Sequence, residues 1–174
     1  MKRLIITICI FIILPSVATA KRMALVIGNG DYIDSPLRNP VNDANDISSS
    51  LKRLGFKVLI ETNVDLRSML DAIDKFSQQL EIGDAALFFY AGHGVQIEGE
   101  NYLLPINSRI HSVKDVRYEA LQVGRILDRM DEAKSMNIII IDACRNNPLG
   151  RGFSRSINRG LAVISRKPEG SILA

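Results

Sequence analysis

The chain has 174 residues, 47% of them hydrophobic and 24% charged, which is enough apolar content for one domain and too little length for two ordinary ones. Its formal net charge is +3, but Lys2 and Arg3 belong to an N-terminal segment set apart below, and without them the charge is +1. Basicity is therefore no argument for a nucleic-acid partner.

The first twenty residues have the order of a leader. Lys2 and Arg3 form a charged start, Leu4 to Leu14 is almost wholly apolar, and Ala18-Thr19-Ala20 is a small-residue cleavage pattern. This predicts a signal peptide over 1–20, removed ahead of Lys21, and an exported protein, periplasmic or secreted. The alternative is an uncleaved leader, with residues 4–14 anchoring the chain in the inner membrane; that stretch is short for a comfortable span. The membrane is engaged only if the leader stays uncleaved, and then only through it. Cys9 leaves with it, so Cys144 is the one cysteine of the domain over 21–174. A single thiol in an exported chain builds no internal disulfide and calls for a chemical explanation.

Met23 to Ile27 is a short apolar run closed by Gly28-Asn29-Gly30-Asp31, a strand and its turn. Ala44, Ile47, Leu51 and Leu54 have helical spacing over 42–54, and Gly55 stops that helix. Phe56 to Ile60 reads as the second strand. Leu66, Met69, Leu70, Ile73, Phe76 and Leu80 predict a second amphipathic helix, capped by Asp65 and closed by Gly83. Ala85 to Tyr90 is the third strand, and Val95 to Leu104, with Gly99 at its turn, predicts a hairpin outside the main sheet. His111 lies in a polar connection and reads as a surface residue. Val123, Ile126, Leu127 and Met130 mark a third helix, and Asn137 to Asp142 a fourth strand. Such alternation implies right-handed crossovers and a mostly parallel sheet, an α/β fold. After Arg145 the chain is rich in arginine, glycine and serine and reads as a long exposed loop. Ser171 to Ala174 then opens a fifth strand.

Two motifs stand at the carboxyl ends of the strongest apolar runs, where sites form in open α/β sheets. Phe88-Phe89-Tyr90 leads into Ala91-Gly92-His93-Gly94, and the run Ile138 to Ile141 leads into Asp142-Ala143-Cys144-Arg145. A thiol and an imidazole are the minimum parts of a nucleophile with its base. The glycines flanking His93 leave little bulk around its ring. His93 and Cys144 are 51 residues apart, too far for a local turn or a contiguous metal motif. Gly28-Asn29-Gly30 after a strand does not make a dinucleotide fingerprint, because residue 33 is isoleucine and no phosphate-binding lysine follows.

Together, Tyr90 to Gly94 and Asp142 to Pro148 resemble the two catalytic motifs of bacterial caspase-like cysteine peptidases, relatives of metacaspases and paracaspases, in which the histidine lies roughly 50 residues upstream of the cysteine. Arg22 to Asn29 resembles that family's first strand, and Leu37 to Ala44 the opening of its first helix. The resemblance implies a three-layer sandwich about a mostly parallel sheet, with 21–174 as the large-subunit portion, truncated at the start of the fifth strand where the smaller subunit begins. It also implies Cys144 as nucleophile, His93 as base and acid, and an oxyanion hole from the backbone N–H groups of Gly94 and Cys144. The metacaspase positions that line the specificity pocket fall on Asp43 and Asp142. A carboxylate floor favours cleavage after Arg or Lys.

The expected partners are therefore protein or peptide substrates, with a second chain as one way to complete the sheet. No metal and no cofactor are implied. Arg145, Arg151, Arg155, Arg159 and Arg166 fall in a segment that resembles the family's processing loop, and self-cleavage there is expected. The alternative function is a catalytically incompetent scaffold that binds peptides or protein partners. An esterase or acyl transferase would use the same dyad.

Overall fold

The computed structural model describes residues 20–132, 136–144, 157–158 and 172–173. In chain order these form β1 (Arg22–Gly28), α1 (Pro40–Arg53), β2 (Lys57–Thr62), α2 (Leu66–Ser77), β3 (Ala85–Ile97), β4 (Glu100–Leu103), α3 (Val113–Glu119), β5 (Leu121–Gln122), α4 (Val123–Glu132), β6 (Met136–Cys144), β7 (Ile157–Asn158) and β8 (Ile172–Leu173). Strands β2, β1, β3, β6 and β8 lie side by side in that order, all parallel. The hairpin partners β4 and β5 continue antiparallel from the second half of β3.

Crossover handedness assigns the layers. The chain moves one way across the sheet from β1 to β2 and the opposite way from β2 to β3. Crossovers of one hand therefore place α1 and α2 on opposite faces. The period-two alternation of the strands serves both faces. Met23, Leu25, Ile27, Phe88, Tyr90 and Ile139 pack on Met69, Ile73 and Phe76 of α2 and on Ile126, Leu127 and Met130 of α4. Ala24, Val26, Leu87 and Phe89, with Ile138 and Ile140 beside them, pack with Ala44 and Leu51 of α1. The result is the three-layer α/β architecture expected of a caspase-like domain. A smaller core lies under the hairpin, where Tyr32, Val95, Ile97, Tyr102 and Leu104 meet Ile110 and Val116.

Several boundaries differ from the sequence reading. Helix α1 starts at Pro40, which has no N–H to leave unpaired in a first helical turn. Asp65 does cap α2, accepting from Ser68 N–H at 2.7 Å, but that helix ends at Ser77, well before Gly83. Two tight turns, Gln79 N–H to Phe76 O and Leu80 N–H to Ser77 O, keep Leu80 in the core without helical bonding. The short α3, held by a Ser112–Asp115 capping box, was not anticipated; it buries only Val116 and so shows no periodicity. Strand β3 continues through His93 to Ile97, with positive φ at Glu98 and Gly99 making the hairpin turn. Of the expected loop after Arg145, Ile157–Asn158 pairs with β3, and Ile172–Leu173 pairs with β6 where the fifth strand was expected. Residues 1–19 of the leader expected over 1–20, and the rest of the arginine-rich segment expected to be processed, lie outside the described residues. Among those residues, no helix is long and apolar enough to cross a membrane.

Candidate active site

At the carboxyl edge of the sheet, Gly28 of β1 is in register with Ala91 of β3, and Ala91 with Asp142 of β6. Two residues further along, His93 is in register with Cys144. Parallel neighbours lie about 4.8 Å apart, so the fold brings the two distant motifs onto adjacent strands. His93 is inside β3, at the point where that strand leaves its parallel partners and pairs with β4, rather than in a loop beyond a strand end.

The imidazole is only 4% exposed. Its Nε2 lies 2.8 Å from the carbonyl oxygen of Ser35, and Tyr32 packs on the ring with centroids 4.4 Å apart. A carbonyl only accepts, so Nε2 carries the proton; in the neutral ring Nδ1 is then the acceptor. Nδ1 is buried without a hydrogen-bond partner among the described residues. Burial lowers the His93 pKa from 6.5, and the Ser35 bond only partly opposes that. The ring is thus neutral and oriented, with its basic nitrogen unspent.

Its backbone is held as firmly. His93 N–H donates to the Tyr32 hydroxyl at 2.9 Å, and His93 O accepts from Leu104 N–H at 2.9 Å and from the Tyr90 hydroxyl at 2.8 Å. The two phenol oxygens are 3.0 Å apart, both within reach of Leu104 O. Burial, and then the neighbouring Tyr32, hold the Tyr90 phenol well above its ordinary pKa, so it stays a donor. The loop carrying Tyr32 and Ser35 is fixed by Asn63, whose Oδ1 accepts from Gly30 and Asp31 N–H, and by the buried Asn29, which bonds Val64. Tyr32 and Ser35 were not singled out in the sequence. Ser35 acts through a backbone carbonyl, which leaves no residue-type signal.

His93 turns both its N–H and its C=O toward Tyr32 and β4. In an extended strand the next N–H faces the other way, so that of Gly94 faces the β6 side. Asp142 is exposed and shares the sheet face of Ile138 and Ile140, the face that α1 covers. Asp43 is half-buried in the first turn of α1. That turn sits against the end of β1 so closely that a Cβ on Gly28 would lie 2.4 Å from Pro40 O. Both carboxylates therefore belong to one edge and one face of the sheet. On the Ser35 side of His93, a cavity of about 370 Å³ is lined by Tyr32, Asp34, Ile106, Ile110 and His111, among others. His111 is exposed as expected, yet it borders the site.

The neutral ring gives a direct prediction. In the Cys144→Ala protein, an NMR titration should place the His93 pKa below 6.5. Because folding depresses this pKa, its contribution to stability is complete above the unfolded value and is lost as pH falls from there toward the folded one. A folded value above 6.5 would contradict the burial argument.

The fold thus sets a buried, carbonyl-anchored histidine in register with a cysteine at the carboxyl edge of a parallel α/β sheet. The caspase-domain family model matches residues 21–171, and the chain belongs to that family, as a caspase-family cysteine peptidase domain. It is 32% identical over 127 residues to human mucosa-associated lymphoid tissue lymphoma translocation protein 1, covering 71% of this chain and 15% of that protein. It is 29% identical over 137 residues to caspase a of Danio rerio, covering 75% of this chain and 35% of that one. Cell death protein 3 of Caenorhabditis remanei is 24% identical over 140 residues, 78% of this chain and 25% of the relative. The chain thus spans about a third or less of these relatives. Among solved structures, a Geobacter sulfurreducens protein aligns with a TM-score of 0.57 at 19% identity, over 71% of this chain and 50% of that one. That likeness supports the fold alone.

Proposed function

We propose that the domain is an endopeptidase that cleaves after Arg or Lys through Cys144 and His93. The observation that carries this is the register of His93 beside Cys144 with Nε2 bonded to Ser35 O, which leaves Nδ1 as the base. Nδ1 takes the Cys144 thiol proton, and the thiolate adds to the scissile carbonyl. The N–H groups of Gly94 and Cys144 stabilise the oxyanion. Collapse breaks the C–N bond, and His93 returns its proton to the leaving amine. Water, deprotonated by His93, then hydrolyses the thioester and frees Cys144. Asp43 and Asp142 bind the cationic side chain preceding the bond. The chain acts after export, on protein or peptide substrates.

Fluorogenic peptides ending in Arg, Lys or Asp test the pocket. Arg and Lys substrates should be cleaved and Asp substrates not. Asp142→Ala and Asp43→Ala should each lower kcat/KM on the Arg peptide by about 10–100-fold. Preference for Asp would overturn the pocket assignment. Peptide binding without turnover would instead support the scaffold reading.

A further inference from the structure

The other end of the sheet holds a buried acid that the peptidase chemistry does not use. Asp84 is 2% exposed. Its Oδ1 accepts from Lys21 N–H at 2.8 Å, its Oδ2 from Glu81 N–H at 2.9 Å, and its backbone carbonyl from Met136 N–H at 2.9 Å. Ala85 N–H closes the cluster on Lys21 O at 2.8 Å. The Asp84 carboxylate therefore ties the start of β1 to the turn ahead of β3, and its backbone carbonyl adds the start of β6. Among the described residues both donors to its carboxylate oxygens are neutral amides, a thin complement for a carboxylate out of water. Lys21 Nζ bonds the Glu81 carboxylate and acts on Asp84 only through space. Of the other charges at this edge, the Arg22 guanidinium donates to Leu54 O.

We propose that removal of residues 1–20 places a cation in direct hydrogen-bond contact with this carboxylate: the new α-ammonium of Lys21 pairs with Asp84, so that maturation itself clamps the amino edge of the sheet. Hydrolysis of the Ala20–Lys21 bond by a leader-removing peptidase adds water, its hydroxyl to the Ala20 carbonyl and its proton to the nitrogen. That nitrogen already sits 2.8 Å from Oδ1. At neutral pH it takes up a further proton, since an α-amine has a pKa of about 7.7–8.0, and the existing hydrogen bond becomes charge-assisted. No side chain has to move. Pairing raises the folded pKa of the amine, so the added stability is complete below about 7.7 and is lost as pH rises through the raised value. The inference rests on leader removal and is independent of the peptidase reading.

Two chains, one starting at Lys21 and one keeping Ala20 so that Lys21 N stays an amide, should be compared in Asp84 and Asp84→Asn forms. At pH 6.5 the Lys21 chain should melt about 3–5 °C higher. The difference should vanish near pH 10 and in Asp84→Asn. Equal melting of the two Asp84 chains, or a difference that survives Asp84→Asn, overturns the pairing. If Asp84→Asn does not fold, the pH dependence of α-amine acylation in the Lys21 chain decides: a pKa above about 8 supports the pair and an ordinary value overturns it. Mass spectrometry of the chain from cells should find Lys21 first. Any other terminus overturns the maturation step, whatever the melting data show.

Discussion

Cys144→Ala should abolish the proposed hydrolysis, lowering kcat by at least about 10³-fold on an Arg peptide. The loss is large because an alanine methyl has no lone pair with which to attack the carbonyl carbon. His93→Ala should cost a comparable factor, since a thiol without a base is mostly protonated near neutral pH. The double variant should be scarcely worse than either single one, because the two side chains serve one proton transfer and one attack. Initial rates at saturating substrate, read beside unfolding midpoints for each variant, separate lost chemistry from lost fold. Additive losses in the double variant would mean that the two residues do not act as a unit.

Gly92→Ala is the substitution expected to damage the fold most for its size. A Cβ at this position would lie 2.6 Å from the Tyr90 hydroxyl and 2.7 Å from that of Tyr32. Neither phenol can yield freely, because both are buried and bonded to Leu104 O, and they also hold the N–H and C=O of His93. The backbone φ of +156° at Gly92 adds to the difficulty for any side chain. Displacing the phenols leaves buried polar groups unpaired, so a loss of about 2–4 kcal/mol is expected in urea unfolding. Peptidase activity should fall with it even where the protein remains folded, since the same hydroxyls fix His93. A cost under about 1 kcal/mol would mean that the tyrosine pair is more compliant than its packing implies.

The parallel core was legible because its signals are local. Apolar runs such as Ile138 to Ile141 and the three-and-four spacing of α2 and α4 report burial on one or both faces, and Asp65 marks a helix start by its own hydrogen bond. Boundaries were less legible where tertiary contacts decide them. Leu80 stays in the core after its helix has ended, and β3 continues past Tyr90 because β4 and β7 are there to pair with it. The two residues read as a dyad were visible as motifs, but their adjacency is a matter of strand order, which no spacing encodes. Ser35 and Tyr32 were not legible at all: one contributes a main-chain oxygen, the other a hydroxyl that reaches His93 only once the loop after β1 has folded over it. Asp84 was invisible for the same reason, since its partners are backbone amides 63 residues apart in sequence and three away.

The most direct measurement is covalent trapping of the nucleophile. A peptidyl chloromethyl ketone ending in Arg requires both a thiolate, which displaces chloride, and a pocket that seats the guanidinium. After incubation at neutral pH, peptide mapping by mass spectrometry should find the adduct on Cys144, with labelling at least about tenfold slower in His93→Ala and in an otherwise identical reagent ending in Asp. Unmodified Cys144, or labelling at the same rate in His93→Ala, would contradict a thiol activated by the imidazole beside it.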